Sequence, residues 1–423
     1  MRHSLKRAAL AVSLAAALGC PGPSAPPALP GVEPELRIAI ATGGKNASIG
    51  GAESGELFVS DAGTGLPIGS VAAGTRWVIV PDSADPSRLR IVRPDSTRTA
   101  PLRGVAVVNV TENRFVEANG RRYRGRINVT SSRDGLTLVN RVNLEGYLAG
   151  VVGPEIGPRR PDETAAVLAQ AVVSRSFALK NRGRWDAFGF DAYADTRDQV
   201  YLGVAAETDQ AWDGVRRTAG QVLEYDGEVI DAYFHSTCGF STAGVEEAFA
   251  TARTRPYLRP VSDARGGGGG HYYCDISPRF RWREEWDRAK LRAILSRTLA
   301  TITPLSGDGL PRITDVAVSR TTPSGRVGEL HIVFERGDVR IPGPDVRTVL
   351  RPDPDRILAS SAFQLVVTRG PTGEVDRLIA AGAGSGHGVG MCQWGAIGRA
   401  RDGQDYQKIL TTYFPGTKIA KLY

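Results

Sequence analysis

LEGYLAGVVGPEIGP, running from Leu144 to Pro158, and the LAQAVVSRSFAL that follows at Leu168 to Leu179 decide how this chain is read. The second stretch carries the clearest helical pattern of the sequence. Asp162 stands where an N-cap belongs, just after Pro161, and Gly183 lies just past the end, so the pattern predicts a helix over 162–181. Ala165, Leu168, Val172, Ser176 and Leu179 recur at helical spacing as an apolar-to-small stripe. Gln170 and Ser174 sit one turn apart on another face. The first stretch reads as a passage from strand to helix at LEGYL, then an apolar turn stiffened by Pro154 and Pro158. Glu155 sits in that turn among Val151, Val152 and Ile156. Apolar surroundings disfavour a carboxylate and raise its pKa, which suits a general acid near neutral pH. The N-terminus of the following helix would oppose that shift if it pointed at Glu155. A cap or an ion pair is the plainer role for the same residue. Glu145 reads as a structural hydrogen-bond or ion-pair partner.

Outward from this stretch, the upstream residues read as short strands. ELRIAIA, ELFVS, TRWVIV, RLRIVR, GVAVVNV and LTLVNRVNL are separated by turns such as Asp61-Ala62-Gly63 and Asn119-Gly120. That is an antiparallel β pattern. Downstream, QVLEYDGEVIDAYFHST (221–237) reads as a hairpin with Asp226-Gly227 as its tight turn. Five glycines at 266–270 make a loop before His271. Residues 280–301 suggest a helix carrying Trp282, Trp286, Leu291 and Leu295, and further strands follow at RITDVAVSR, ELHIVFE and FQLVVTRG. A last helix is expected from Gln404 to Tyr413. The fold class is therefore α+β: a β-rich N-terminal region, 35–120, packed with a mixed domain, 121–423, that carries an inserted segment at about 275–380. No internal repeat is visible.

The N-terminus reads as a targeting segment. Arg2, His3, Lys6 and Arg7 precede an apolar run from Ala8 to Leu18, too short to hold as a membrane span. It stops at Ala17-Leu18-Gly19-Cys20, where small residues before a cysteine suit lipoprotein processing, although Ala17 replaces the usual leucine. An ordinary signal peptide that happens to contain a cysteine is the alternative. Acylated Cys20 would anchor the chain to a membrane, and residues 21–34, rich in Pro and Ala, would form an extended tether. The chain is then expected outside the cytoplasm, as a lipoprotein facing the periplasm or cell wall. The net charge of +8 suits a surface that meets anionic wall polymer or lipid headgroups. Nucleic acid is not expected, because the arginines are scattered and no nucleic-acid motif is present.

Two further blocks carry chemistry. His235-Ser-Thr-Cys238 and His271-Tyr-Tyr-Cys274 repeat the spacing H-x-x-C, and two Cys with two His make a closed set for structural zinc. A Cys238–Cys274 disulfide is the competing reading in an exported chain. With Cys392 there are three cysteines after position 20, so they cannot all pair within one chain. GSGHGVGMCQWGAIGRA, Gly384 to Ala400, has glycines at 384, 386, 388 and 390 that let backbone approach a ligand closely. A dinucleotide fingerprint is rejected there, since the loop does not open a βαβ unit.

Together, LEGYLAGVVGPEIGP with LAQAVVSRSFAL, then HSTCG, GHGVGMCQWGA and YFPGT (Tyr413 to Thr417), resemble the stage II sporulation protein D and amidase-enhancer family. Ile156, Gly157 and Ser176-Phe177 depart from the usual family residues, and the carboxylate is kept. The resemblance implies a peptidoglycan lytic transglycosylase. It would cleave between N-acetylmuramic acid and N-acetylglucosamine of denuded strands, leave an anhydro sugar, and use Glu155 as the one acid and base. It implies a glycan groove lined by His387, Gln393 and Trp394, with Gln170, Arg175 and Tyr201 as further contacts. It extends a zinc-site role to His235 and Cys238, with no cofactor needed for catalysis. Part of the family is named for enhancement, so a non-catalytic wall-binding partner of an amidase is the alternative. Trp394 could equally be a core residue.

Overall fold

The computed structural model describes residues 31–111, 114–266, 270–301 and 309–423. Residues 1–30, with the expected signal segment, Cys20 and most of the expected tether, lie outside the described residues. No helix among the described residues is long and apolar enough to cross a membrane.

The chain is α+β and built on several sheets. The largest has seven strands in the order Ala192–Tyr193, Glu35–Gly44, Gly135–Asn143, Arg126–Ser132, Gly104–Asn109, Leu57–Asp61 and Pro67–Val71. All neighbours are antiparallel except Ala192–Tyr193, which runs parallel to Glu35–Gly44. A five-stranded sheet packs beside it and includes the hairpin Val116–Ala118 and Arg121–Tyr123, where Asn119 and Gly120 both take positive φ. That is the backbone an Asn-Gly hairpin turn requires. Asp226 and Gly227 do the same in the hairpin between Gln221–Tyr225 and Glu228–Val229. The seven-stranded sheet takes strands from both sides of residue 120, because Glu35–Gly44 pairs with Gly135–Asn143. One hydrophobic core accordingly joins Leu36 to Phe414.

The strand Gly135–Asn143 feeds directly into helix α1 (Leu144–Ile156), and α2 (Thr164–Lys180) follows after a single 3-10 turn at Pro161–Glu163. Glu155 therefore lies in the last turn of a helix, not in the expected apolar turn. Helix propensity reads this segment poorly because Gly146, Gly150, Gly153 and Pro154 are all inside it. Tertiary packing explains the glycines: a Cβ on Gly150 would fall 2.6 Å from the Tyr201 ring, and one on Gly153 would fall 2.7 Å from the Ala206 carbonyl oxygen. Asp162 is not the N-cap of α2. It sits within the 3-10 turn and pairs with Arg160 at 2.6 Å. Helix α3 (Asp209–Arg217) packs on α1 and α2.

A second core lies between the His/Cys block and the Gly-rich block. Trp286, Leu291, Leu295, Ile313, Val316, Leu330, Ile332 and Leu378 are all buried in it. Two three-stranded antiparallel sheets and helix α4 (Arg288–Thr298) enclose it. The expected helix over 280–301 is corrected here: Arg281–Asp287 is a strand, and Asp287 caps α4 through the Lys290 amide. The alternation of RWREEWD has the period of two that a strand requires, and that outweighs the helical spacing of its tryptophans. The end of the chain holds α5 (Gln393–Arg401) and α6 (Tyr406–Tyr413). Asp405 caps α6, so the expected start at Gln404 moves inward by two residues.

Candidate active site

Three distant blocks meet as the sequence implied, but with different side-chain duties. The strand Phe234–His235 pairs in parallel with Met391–Cys392, in the register Phe234 to Met391 and His235 to Cys392. Thr237 and Ser385 exchange backbone hydrogen bonds at 2.9 and 2.8 Å. The glycines of the Gly-rich block serve this seam. Gly390 has φ +72°, and a Cβ there would lie 2.0 Å from the Tyr233 carbonyl oxygen; a Cβ on Gly388 would meet the Arg326 guanidinium. The close approach they permit is protein on protein, not backbone on ligand. Arg326, buried and contributed by the second core, donates to the Cys238 and Ser241 carbonyl oxygens at 3.1 and 3.0 Å, which docks that core onto the seam.

Glu155 opens onto a cavity of about 740 Å³. Phe177, Tyr233, Phe234, Phe249 and His387 give it apolar walls, and Arg184, Arg197, Arg253 and Arg255 line it with positive charge. Arg184 pairs with Asp198, whose carboxylate also accepts from Trp185 Nε1 and the Tyr193 amide at 2.9 and 2.8 Å. Arg253 and Arg255 are exposed and have no ion pair among the described residues. Glu155 is the one glutamate of the lining. Burial raises its carboxyl pKa above the ordinary 4.5, and the Val200 amide, which donates to Oε1 at 3.1 Å, opposes that. Glu155 lies in the last turn of α1, and a C-terminal helix end disfavours a negative charge.

The other residues implied by the resemblance separate into lining and scaffold. His387 lines the cavity, its ring 5.6 Å from that of His235. Gln170, Arg175, Tyr201 and Gln393 are buried and lie outside the lining, so their expected sugar contacts are corrected to structural ones. Arg175 grips Glu145 through two hydrogen bonds, 2.9 and 2.6 Å, and donates to the Gln221 carbonyl oxygen at 3.0 Å. Tyr201 donates to Asn140 at 2.9 Å. Gln393 Nε2 donates to the Glu155 carbonyl oxygen at 2.9 Å and to Gln170 Oε1 at 3.2 Å, and Gln170 in turn donates to Ser174. Gln393 is thus a positioning residue for the last turn of α1. Trp394 is half-buried outside the lining, under the Arg159 guanidinium at 5.3 Å.

The paired H-x-x-C set does not assemble. His271 is 79% exposed beside Asp275, and His235 turns its Nδ1 to the Val389 carbonyl oxygen at 3.1 Å. The fold instead gathers Cys238, Cys274 and Cys392 with Asp263, all buried, each offering a ligand atom within 4.8 Å of the others. Local spacing could not reveal this. Cys392 arrives by the parallel strand pairing, and Asp263 by a bridge between Ala264 and Tyr272 across the glycine loop. A lone Asp before a glycine run carries no sequence signal.

A family profile described as Stage II sporulation protein matches residues 132–225, the segment that holds α1, α2 and Glu155. The chain belongs to the stage II sporulation protein D and amidase-enhancer family. A domain of unknown function (DUF8618) matches residues 269–390, which spans the second core. Among the relatives, an uncharacterized protein of Brachyspira hyodysenteriae is 32% identical over 320 residues, covering 74% of this chain and 76% of that protein. The stage II sporulation protein D of Bacillus subtilis is 26% identical over 299 residues, covering 67% and 76%. The amidase enhancer of Bacillus subtilis is 25% identical over 285 residues, 60% of this chain but only 38% of the enhancer's length.

Proposed function

We propose that this chain acts on the cell wall as a peptidoglycan lytic transglycosylase. The observation that carries the reading is Glu155: a desolvated carboxyl with a raised pKa, open to a cavity large enough for sugar rings and bordered by unpaired arginines. In the reaction, protonated Glu155 gives its proton to the oxygen that leaves C1 of N-acetylmuramic acid as the glycosidic bond breaks. The C6 hydroxyl of the same sugar then attacks C1, and the Glu155 carboxylate takes the hydroxyl proton. Protons balance and no water is consumed. One carboxyl suffices because the substrate supplies the nucleophile, whereas ordinary glycosidases need a pair. Asp198 lines the cavity too, but its oxygens are committed to Arg184, Trp185 and the Tyr193 amide. Arg253 and Arg255 suit the lactyl carboxylates of glycan strands, which are the densest negative charge on a denuded strand.

A second reading rests on the relative named an amidase enhancer: the same groove would hold glycan without cutting it, beside a cell-wall amidase. Mass spectrometry of purified glycan strands after incubation separates the two. Anhydro-muramyl ends support the lytic reading, reducing ends indicate hydrolysis, and unchanged strands that co-sediment with the protein support the binding role. Residues 1–20 support export and acylation at Cys20, with the body of the chain facing the wall. Cys20→Ser should then move the protein out of the membrane fraction, and retention after a high-salt wash would end that part of the reading.

A further inference from the structure

We propose that Cys238, Asp263, Cys274 and Cys392 form a closed tetrahedral site for one structural zinc ion. Four ligand atoms from four separated segments meet within 4.8 Å, and every one of these residues is fully buried. Cys238 Sγ and Cys274 Sγ are 3.5 Å apart. Zinc–sulfur bonds of about 2.3 Å set tetrahedral sulfur–sulfur edges of about 3.8 Å, so the thiols already stand at about the separation that a shared ion needs.

The surroundings are those of ligands held in place. Cys392 Sγ accepts the Cys238 and Gly395 amides, each at 3.2 Å, and the second of these caps the first turn of α5. Amides aimed at sulfur favour the thiolate form that binds metal. Asp263 accepts from Tyr413 Oη at 2.6 Å, from Arg399 Nη2 at 3.4 Å and from the Cys274 amide at 3.0 Å. Outer partners of this kind orient a ligating carboxylate. The backbone is shaped to allow it: a Cβ on Gly395 would lie 2.0 Å from Tyr413 Oη and 2.8 Å from both Asp263 oxygens.

A disulfide accounts for less. It would use two of three thiols and leave the third sulfur beside a buried carboxylate with no role. Three thiolates and one carboxylate complete a four-ligand shell with no open position, which fits a structural ion. The site would also bear on the groove. Cys392 directly precedes Gln393, which holds the Glu155 carbonyl oxygen, and the Cys238 carbonyl oxygen accepts from Arg326. The proposal does not depend on the reading of Glu155 as an acid.

The test is metal analysis of the full chain carrying Cys20→Ser, so that three thiols remain to be counted. About one zinc per chain should survive gel filtration, and a chelator under denaturing conditions should release three titratable thiols. Cobalt(II) in place of zinc should give the sulfur-to-metal charge-transfer absorption of a tetrahedral thiolate site. Tyr413→Phe, which keeps the ring and removes one donor to Asp263, should weaken zinc binding about 10–100-fold. His235→Gln should keep the metal. A protein that takes up neither zinc nor cobalt overturns the proposal, whether it titrates as three open thiols or as one thiol beside a disulfide. So does a metal that His235→Gln loses and Cys392→Ser retains.

Discussion

Glu155 and Asp263 are both carboxyl groups whose pKa burial raises, and they stand in opposite surroundings. Glu155 accepts one backbone amide and opens onto the cavity. Asp263, pushed up to about 8 by burial and then by the neighbouring Cys274, accepts from a tyrosine, an arginine and an amide, and touches no solvent. The direction of a pKa shift therefore does not separate a reacting group from a structural one here. What separates them is spare bonding capacity on the side that a ligand can reach. Glu155 has it toward the cavity. Asp263 has it only toward three sulfurs.

The sharpest way to break this contrast is Glu155→Gln. The shape is kept and the proton is lost, so cleavage should fall by about 10²–10⁴-fold or more while glycan binding holds. In the wild type, activity should decline as pH rises through a Glu155 pKa that lies above 4.5, because only the protonated form can donate. Wild-type turnover in the Glu155→Gln protein, measured as anhydro ends per minute, would remove Glu155 from the chemistry.

Arg175 tests the opposite side, since the resemblance pointed to the groove and the fold to the scaffold. It is fully buried against Glu145. Arg175→Ala leaves Glu145 without its charged partner and should cost about 3–5 kcal/mol of stability, read from urea unfolding. Activity per folded molecule should change far less. A stable variant with weakened glycan binding would return Arg175 to the groove.

Gln393→Ala lies between these extremes. It frees the Glu155 carbonyl and the Gln170 amide oxygen inside the protein, which should cost about 1–3 kcal/mol. Because Gln393 positions α1, kcat should drop while KM holds. A loss confined to KM would mean that the amide touches sugar after all.

What the sequence made legible follows from how local each signal is. The β-rich start, the hairpin at Asp226-Gly227 and the body of α2 were readable, because alternation, turn residues and helical spacing are all short-range. Glu155 was singled out by its apolar neighbours. Helix α1 was hidden by its glycines, and those glycines exist for contacts with Tyr201 and Ala206, tens of residues away. Helix α5 was hidden the same way by Gly395 and Gly398, which let it press on Tyr413 and the Tyr273 carbonyl oxygen. The cysteine cluster was half-visible: two members shared a local spacing, while Cys392 and Asp263 depended on strand pairing that no spacing encodes. Arg175, Gln393 and Tyr201 were drawn toward the groove because motif proximity does not say which way a side chain faces.

His235 adds a pH dependence of stability that fades to nothing above the ordinary histidine pKa. Its ring is buried, donates one hydrogen bond to Val389, and faces His387, Arg326 and Arg347, with no carboxylate among the groups that act on it. Burial, and then the Arg326 charge, lower its pKa from 6.5 to about 3. The folded state therefore binds no proton at His235 between those values, while the unfolded state does. Stability from this group is complete above the unfolded pKa of 6.5 and is lost as pH falls toward about 3, at up to about 1.4 kcal/mol per pH unit. Glutamine at this position keeps a donor and does not titrate. The difference in unfolding free energy between wild type and His235→Gln, measured in urea at several pH values from about 4 to about 7, should shift against the wild type on acidification. Titrating groups away from His235 cancel in that difference, and His387, whose ring lies 5.6 Å away, moves with it. Two parallel curves would mean that His235 gains its proton inside the folded protein, and that the wall behind the groove admits a charge that its packing is built to exclude.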